Sequence, residues 1–332
     1  MSNFETATRT AQRLFDGVRT VIRGRDDTVR LVLCALFADG HALLEDYPGS
    51  GKTTLTKTLG RLISCEDAPQ DRSYIAPFRR IQFTPDMLPG DVLGVNIFEP
   101  TRGSFHFVHG PVFAHIVLAD ELNRTGPKVQ AAFLECMAEK QVTIENVTIP
   151  LDDLFFVLGT QNPLDIAGTY PLPLVQLDRF MLRIPMTYVD AETEQEILAS
   201  HDQIMSAAHS SAPVCTRHDV LEARRAVKEI TVSNEVRAAM VAITQATRRS
   251  PALQFGASTR AALMLQDAVR AWAMLNSRDY VTEDDVKYIA PFVLLHRLRF
   301  HPGAGDPVRA LEDLMLPQLE HLVSNAARAV SR

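Results

Sequence analysis

Three short stretches concentrate side chains suited to phosphoryl chemistry. Residues 46–54, DYPGSGKTT, place Pro48, Gly49, Ser50 and Gly51 before Lys52, Thr53 and Thr54. Glycines at such positions let backbone N–H groups approach phosphate oxygens, the lysine brings a compact charge to the β and γ phosphates, and the next hydroxyl suits Mg2+. Asp46 stands where the usual pattern begins with Gly, so a strict Gly-x-x-x-x-Gly-Lys-Ser/Thr search misses the stretch. Taken alone, the same residues also describe a Gly-Ser-Gly turn with an incidental surface lysine. The run IVLADE, 116–121, ends in two acids. Asp120 can hold the Mg2+ shell, and Glu121, expected on the opposite side of the strand, can polarise an attacking water. Acids at strand ends also serve as caps, so the pair gains its meaning beside a phosphate-binding lysine. In GTQNP, 159–163, Asn162 puts a neutral amide at the same edge, where it can orient that water or simply begin a turn. Arg179 in LDRF and Arg260 in GASTRA are two further cations. Arg260 follows Ser258, an expected N-cap, where the helix dipole disfavours a cation unless it meets a phosphate.

Positioning these groups requires a sheet with helices around it. Helical spacing over 5–22 and 26–38 leads to the strand HALLE, then the glycine-rich turn and a helix to about residue 64. Strand, loop and helix in that order is the context a phosphate-binding loop needs. Further strands are predicted at 79–83, 115–119 and 153–160; the last two are apolar on both faces, as in the centre of a covered parallel sheet. Hairpins are predicted at 95–108 and 142–149. Beyond about residue 190 only helices are expected, at 191–205, 217–229, 233–248, 259–275, 282–298 and 307–329. The expected division is an α/β nucleotide-binding domain, 1–188, and a C-terminal helical lid, 189–332.

Composition narrows the function classes. The 332 residues are 46% hydrophobic and 22% charged, enough for substantial cores. A net charge of -6 and a pI near 5.9 speak against an extended duplex-binding surface and so against nucleic acid as a partner. Cys34, Cys65, Cys136 and Cys215 form no pair at disulfide-framework or zinc spacing, which suits the reducing cytoplasm. No apolar run is long enough for a membrane span and the first residues do not read as a signal peptide.

Together and in this order, these motifs resemble the AAA+ ATPases and, more narrowly, the MoxR family, over nearly the whole chain. The resemblance rests on DYPGSGKTTLTKTL, ADELNRTGPKVQAAFLECMAEKQVTI, GTQNP, LDRF and GASTRA. It implies a P-loop NTPase sheet flanked by helices and a helical lid, with ATP and Mg2+ as ligands. Lys52, Thr53 and Thr54 would then bind nucleotide and metal, Asp120 and Glu121 would drive hydrolysis, and Asn162 would be sensor 1. Arg179 would be an arginine finger, Arg260 sensor 2, and Ile22, Arg23 and Gly24 would contact adenine. The hairpins would match the helix-2 and pre-sensor-1 inserts, which contact substrate or partner. Asp46, and Thr259 where many relatives have Pro, depart from the pattern. The resemblance also implies a homo-oligomer, a hexameric ring, that remodels, matures or inserts a metal cofactor into a client, with a von Willebrand factor A domain partner. A chelatase-like subunit, a nucleic-acid motor and a nucleotide-gated scaffold are the rival readings.

Overall fold

The computed structural model describes residues 2–45, 49–69, 72–101, 103–162 and 168–330, with side chains described as far as residue 320. A capping box opens the first helix: Glu5 N–H donates to Ser2 Oγ at 3.2 Å, and Ser2 N–H donates to Glu5 Oε2 at 3.0 Å. This helix, α1 (Asn3–Arg19), buries Ala7, Ala11, Leu14 and Val18, a single stripe at steps of three and four. The next, α2 (Asp26–Phe37), is buried without a break from Leu31 to Phe37 and feeds β1 (Ala42–Glu45). Then follow α3 (Lys52–Leu62), β2 (Ala76–Gln82), α4 (Pro89–Leu93), a hairpin of β3 (Gly94–Glu99) and β4 (Ser104–His109), and β5 (Ala114–Asp120). After these come α5 (Pro127–Glu139), a hairpin of β6 (Gln141–Ile144) and β7 (Val147–Pro150), β8 (Phe156–Gln161), α6 (Leu174–Leu177) and β9 (Leu182–Pro185).

Five strands form one parallel sheet in the order β9-β1-β8-β5-β2. Alternate residues face opposite layers. Ala42, Leu44, Ile116, Phe156 and Leu158 join a core with α1, α2, α3 and the C-terminal helices. Leu43, Val117, Ala119 and Val157 join a second core with α5. Both faces are covered, which is why β5 and β8 read as apolar runs. Register aligns Gln82 with Asp120, and Glu45 with Gln161, so the carboxyl ends of four strands finish at one edge.

The remainder is mostly helical, with α7 (Ala191–Ala199), α8 (His201–Ser210), α9 (Arg217–Glu229), α10 (Asn234–Arg249), α11 (Thr259–Leu275), α12 (Glu283–Leu294) and α13 (Pro307–Val330). It is not helical throughout as expected: Cys215–Thr216 pairs with Ile63–Ser64, and Leu253–Phe255 pairs antiparallel with Arg299–Phe300. Five open on side-chain caps: Asp190, Thr216, Ser233, Ser258 and Thr282. Three predicted elements differ. The helix over 191–205 breaks at Ser200, whose hydroxyl donates back to Glu196 O at 2.6 Å and competes with the helix ladder. The strand at 153–160 starts only at Phe156, because Leu154 N–H donates to Asp152 Oδ1 at 2.8 Å and holds a turn. The helix over 282–298 ends at Leu294 and tightens into a 3₁₀ turn at Leu295–Arg297.

Buried charge ties the helical part to the sheet. Arg217 Nε on α9 donates to Asp152 Oδ1 at 2.7 Å, with His115 Nδ1 3.3 Å from the same oxygen. Arg224, about two turns further along α9, donates to Leu36 O at 2.9 Å and Asp153 O at 2.7 Å. Burial pushes the Asp152 carboxyl up, but hydrogen bonds from His115, Arg217 and the Leu154 N–H outweigh it and hold the group well below the usual carboxylate range. The charged form therefore stabilises the fold above the ordinary carboxyl pKa of about 3.9, and that contribution fades as pH falls below it. Urea midpoints measured from pH 7 to pH 2 should fall more steeply below about pH 4 for the native protein than for Asp152→Asn. Asp152→Asn should also be less stable at pH 7, by about 3 kcal/mol, because Arg217 is left buried without its counter-charge. Parallel curves would remove Asp152 from this role.

Candidate active site

At the carboxyl edge of β1, Gly49 and Gly51 adopt φ of +87° and +89°, the left-handed region that glycine enters freely. A Cβ built on either would meet nothing within 4 Å among the described residues, which leaves open space before them. Ser50 Oγ is buried there with no hydrogen-bond partner among the described residues. Lys52 opens α3, with Gly51 as its cap. Open space, an unsatisfied hydroxyl and the positive end of a helix fit a phosphate group. Pro48, like Asp46, lies outside the described residues.

A cavity of about 530 Å³ joins Gly49, Ser50, Gly51 and Thr54 to Ile22, Arg23 and Ile197. Ile22 and Arg23 are thus brought beside the loop. Gly24 is not in that cavity and lines a second one of about 680 Å³ behind the turn. Its own φ is +65°, and a Cβ there would lie 2.4 Å from Thr193 Cγ2, so the position shapes the turn against the start of α7.

Asp120, 2% exposed at the end of β5, gathers the groups around it. Lys52 Nζ lies 3.4 Å from Oδ1, and Thr160 Oγ1 donates to the same oxygen at 2.7 Å. Arg80 on β2 takes the other oxygen, with Nη2 at 2.6 Å and Nε at 3.1 Å from Oδ2. Burial raises the affinity of Asp120 for a proton, but the hydrogen bonds from Arg80 and Thr160 and the charges of Lys52 and Arg80 win, and the carboxyl stays below its ordinary value.

Glu121 differs from the sequence expectation. It does not continue the alternation of β5, which ends at Asp120; it turns into the left-handed region at φ 57° and caps a 3₁₀ turn at Leu122–Arg124. Its N–H donates to Thr160 Oγ1 at 2.9 Å, so one hydroxyl couples both acids. Its carboxylate accepts from Gln82 Nε2 at 2.7 Å and pairs with Arg124 Nε at 3.1 Å. Asn162 directly follows β8 at the same sheet edge. No group of three or more His, Cys, Asp or Glu among the described residues is arranged to hold a metal.

The two remaining arginines lie elsewhere. Arg179 sits in the turn between α6 and β9, and Arg260 Nε, in the first turn of α11, is 3.9 Å from Asp178 Oδ2. Neither lines the cavity that contains Gly49 and Thr54. Sequence reading missed Arg80, Gln82 and Thr160, although the alternation in RRIQF put residues 80 and 82 on one face of a strand. It also missed Arg297, which donates to Asp178 Oδ1 at 2.7 Å across 119 residues, a pairing no local pattern announces.

Comparison with known proteins gives the family. Residues 41–182 match the model of the "ATPase family associated with various cellular activities (AAA)", and residues 245–314 match an AAA lid domain. The chain is 42% identical over 287 residues to the uncharacterized protein YeaC of Bacillus subtilis, covering 86% of each chain. It is 35% identical over 331 residues to the chaperone MoxR1 of Mycobacterium tuberculosis, covering 93% of this chain and 83% of that one. It is 27% identical to the protein MoxR of Methylorubrum extorquens, covering 88% of each. The crystal structure of a candidate ATPase from Cytophaga hutchinsonii superposes with a TM-score of 0.84 at 37% identity, covering 95% of this chain and 96% of that one. The chain belongs to the MoxR family of AAA+ ATPases, and its activity is ATP hydrolysis.

Proposed function

We propose that this protein uses Mg2+-dependent ATP hydrolysis, within a ring of identical copies, to remodel or mature a client protein. The observation that carries the chemical part is Lys52 3.4 Å from Asp120 beside the open cradle of Gly49 and Gly51. Pro48 to Thr54 would hold the phosphates, with Ile22 and Arg23 at the adenine end and Gly24 shaping their turn. Thr53 and Asp120 would hold Mg2+, which when bound neutralises phosphate charge. Glu121, held by Gln82 and Arg124, would orient the attacking water as general base, and Asn162 would steady it from the neighbouring strand. Thr160 keeps the two acids at a fixed separation by bonding one side chain and the other backbone.

Arg179 and Arg260 would act on the nucleotide of a neighbouring copy. What supports this is their shared location at Asp178, away from the cavity of their own phosphate-binding loop. A cation supplied across an interface requires a closed ring, for which six copies is our reading. The hairpin of β3 and β4 exposes Ile97, Phe98 and Phe105, with Phe98 and Phe105 rings 5.2 Å apart, a surface suited to contact with client or partner. A chaperone among the relatives supports remodelling over nucleic-acid translocation, and a von Willebrand factor A domain protein is the partner we propose. All four cysteines are free, which fits work in the cytoplasm. No helix among the described residues is long and apolar enough to cross a membrane.

Steady-state ATPase assays and nucleotide titration check the roles. Glu121→Gln should keep ATP binding while kcat falls by about 100-fold or more. Thr160→Val should lower kcat by about 10- to 100-fold, with nucleotide affinity changed much less, because it frees both acids without touching the phosphate cradle. Arg179→Ala should lose about 1,000-fold in kcat with ATP binding intact. Mixing it with Glu121→Gln copies should restore turnover, since each variant then supplies what the other lacks. Additive, unrestored activity at every mixing ratio would place Arg179 within its own subunit or outside catalysis.

A further inference from the structure

Residues 178–181 connect α6 to β9 and carry Arg179. Carbonyls on both sides of Arg179 point at one buried guanidinium. Arg297 Nη2 donates to Asp178 O at 3.2 Å and to Phe180 O at 2.7 Å, while Nη1 donates to Met181 O at 3.3 Å and also to Val293 O. Its Nε donates to Asp178 Oδ1 at 2.7 Å, and the preceding His296 places Nε2 3.0 Å from Phe180 O. Arg297 is 6% exposed and His296 2%, so water does not compete for these bonds. The second oxygen of Asp178 faces Arg260, whose Nε is 3.9 Å away. One carboxylate therefore links the 3₁₀ turn after α12, the turn that presents Arg179, and the helix that presents Arg260.

The outer members of this chain are at least partly accessible. The Arg260 side chain is 52% exposed, and Arg179 is half-buried and paired with no carboxylate among the described residues. A planar guanidinium with five donors in a fixed fork can hold several carbonyls and a carboxylate at once, which a lysine cannot. Such holding matters where a cation must meet a transferring phosphate, because a displacement of about 1 Å can cost about 100-fold in rate.

We infer that Arg297 is a positioning residue: through Asp178 and the carbonyls around Arg179 it sets Arg179 and Arg260 at a fixed spacing, so that both reach one phosphate group on a neighbouring copy. The inference rests on the reading of Arg179 and Arg260 given above and adds a residue that touches no nucleotide. Arg297 supports the finger its own subunit offers, while leaving its own phosphate cradle untouched.

The test uses the full-length chain carrying Arg297→Lys or Asp178→Asn, with binding followed by a fluorescent ATP analogue. Both variants should bind the analogue within about 2-fold of the native protein while kcat drops by about 10- to 100-fold. Mixed with Glu121→Gln copies, either variant should regain turnover as the share of Glu121→Gln subunits rises, because their intact fingers serve the intact cradles of the variant. A defect confined to folding or to the variant's own cradle would show no such recovery. Arg179→Ala mixed with Glu121→Gln is the reference. If that pair fails to recover, action across the interface is wrong and this inference falls with it. If that pair recovers and both Arg297→Lys and Asp178→Asn do not, Arg297 serves the fold alone. Should Arg297→Lys not yield folded protein, the partly exposed Asp178→Asn carries the same comparison.

Discussion

The Asp120 carboxylate is the constraint on which the site depends. It is nearly buried, so its charge survives only because Lys52, Arg80 and Thr160 surround it. Those three come from α3, β2 and β8, and β5 lies between β2 and β8 in the sheet. Strand order is thus not separable from the site: a sheet built in another order would leave Asp120 unpaired and the open turn at Gly49 and Gly51 without an acid beside it. A carboxylate this well supplied with donors stays ionised, the form in which it can serve a divalent cation.

Much of this was legible in the residues, and the reasons are local. The turn from Gly49 to Lys52 was visible despite Asp46 because Gly49, Gly51 and Lys52 each meet a requirement of backbone or charge that few other residues meet. β5 and β8 were visible because a strand covered on both faces must be apolar throughout. Element ends were less legible where a side chain intervened, as Ser200 does by bonding back to Glu196 and Asp152 does by capping Leu154.

What could not be read were partnerships decided by the fold. Arg297 meets Asp178 only after the last third of the chain has packed on the sheet. Glu121 was expected to follow the strand's alternation, yet the Thr160 hydroxyl captures its N–H and turns it into the left-handed region. Non-glycine residues enter that region at some cost, so the carboxylate's direction is held by surrounding bonds and not by backbone preference. The same holds for Gln82 and Arg124, whose importance appears only once Glu121 has turned toward them.

The apolar stripe of α1 has a wider consequence. Ala7, Ala11, Leu14 and Val18 belong to the same continuous core as Val220, Ala223 and Val227 of α9, so the opening helix is roofed by segments some 200 residues away. The opening helix and α9 are in this sense one packed unit, and a cut between sheet and helices would bare a greasy seam on each fragment. A shift of α9 would therefore be felt by α1, and through it by the turn at Ile22 and Arg23 that follows.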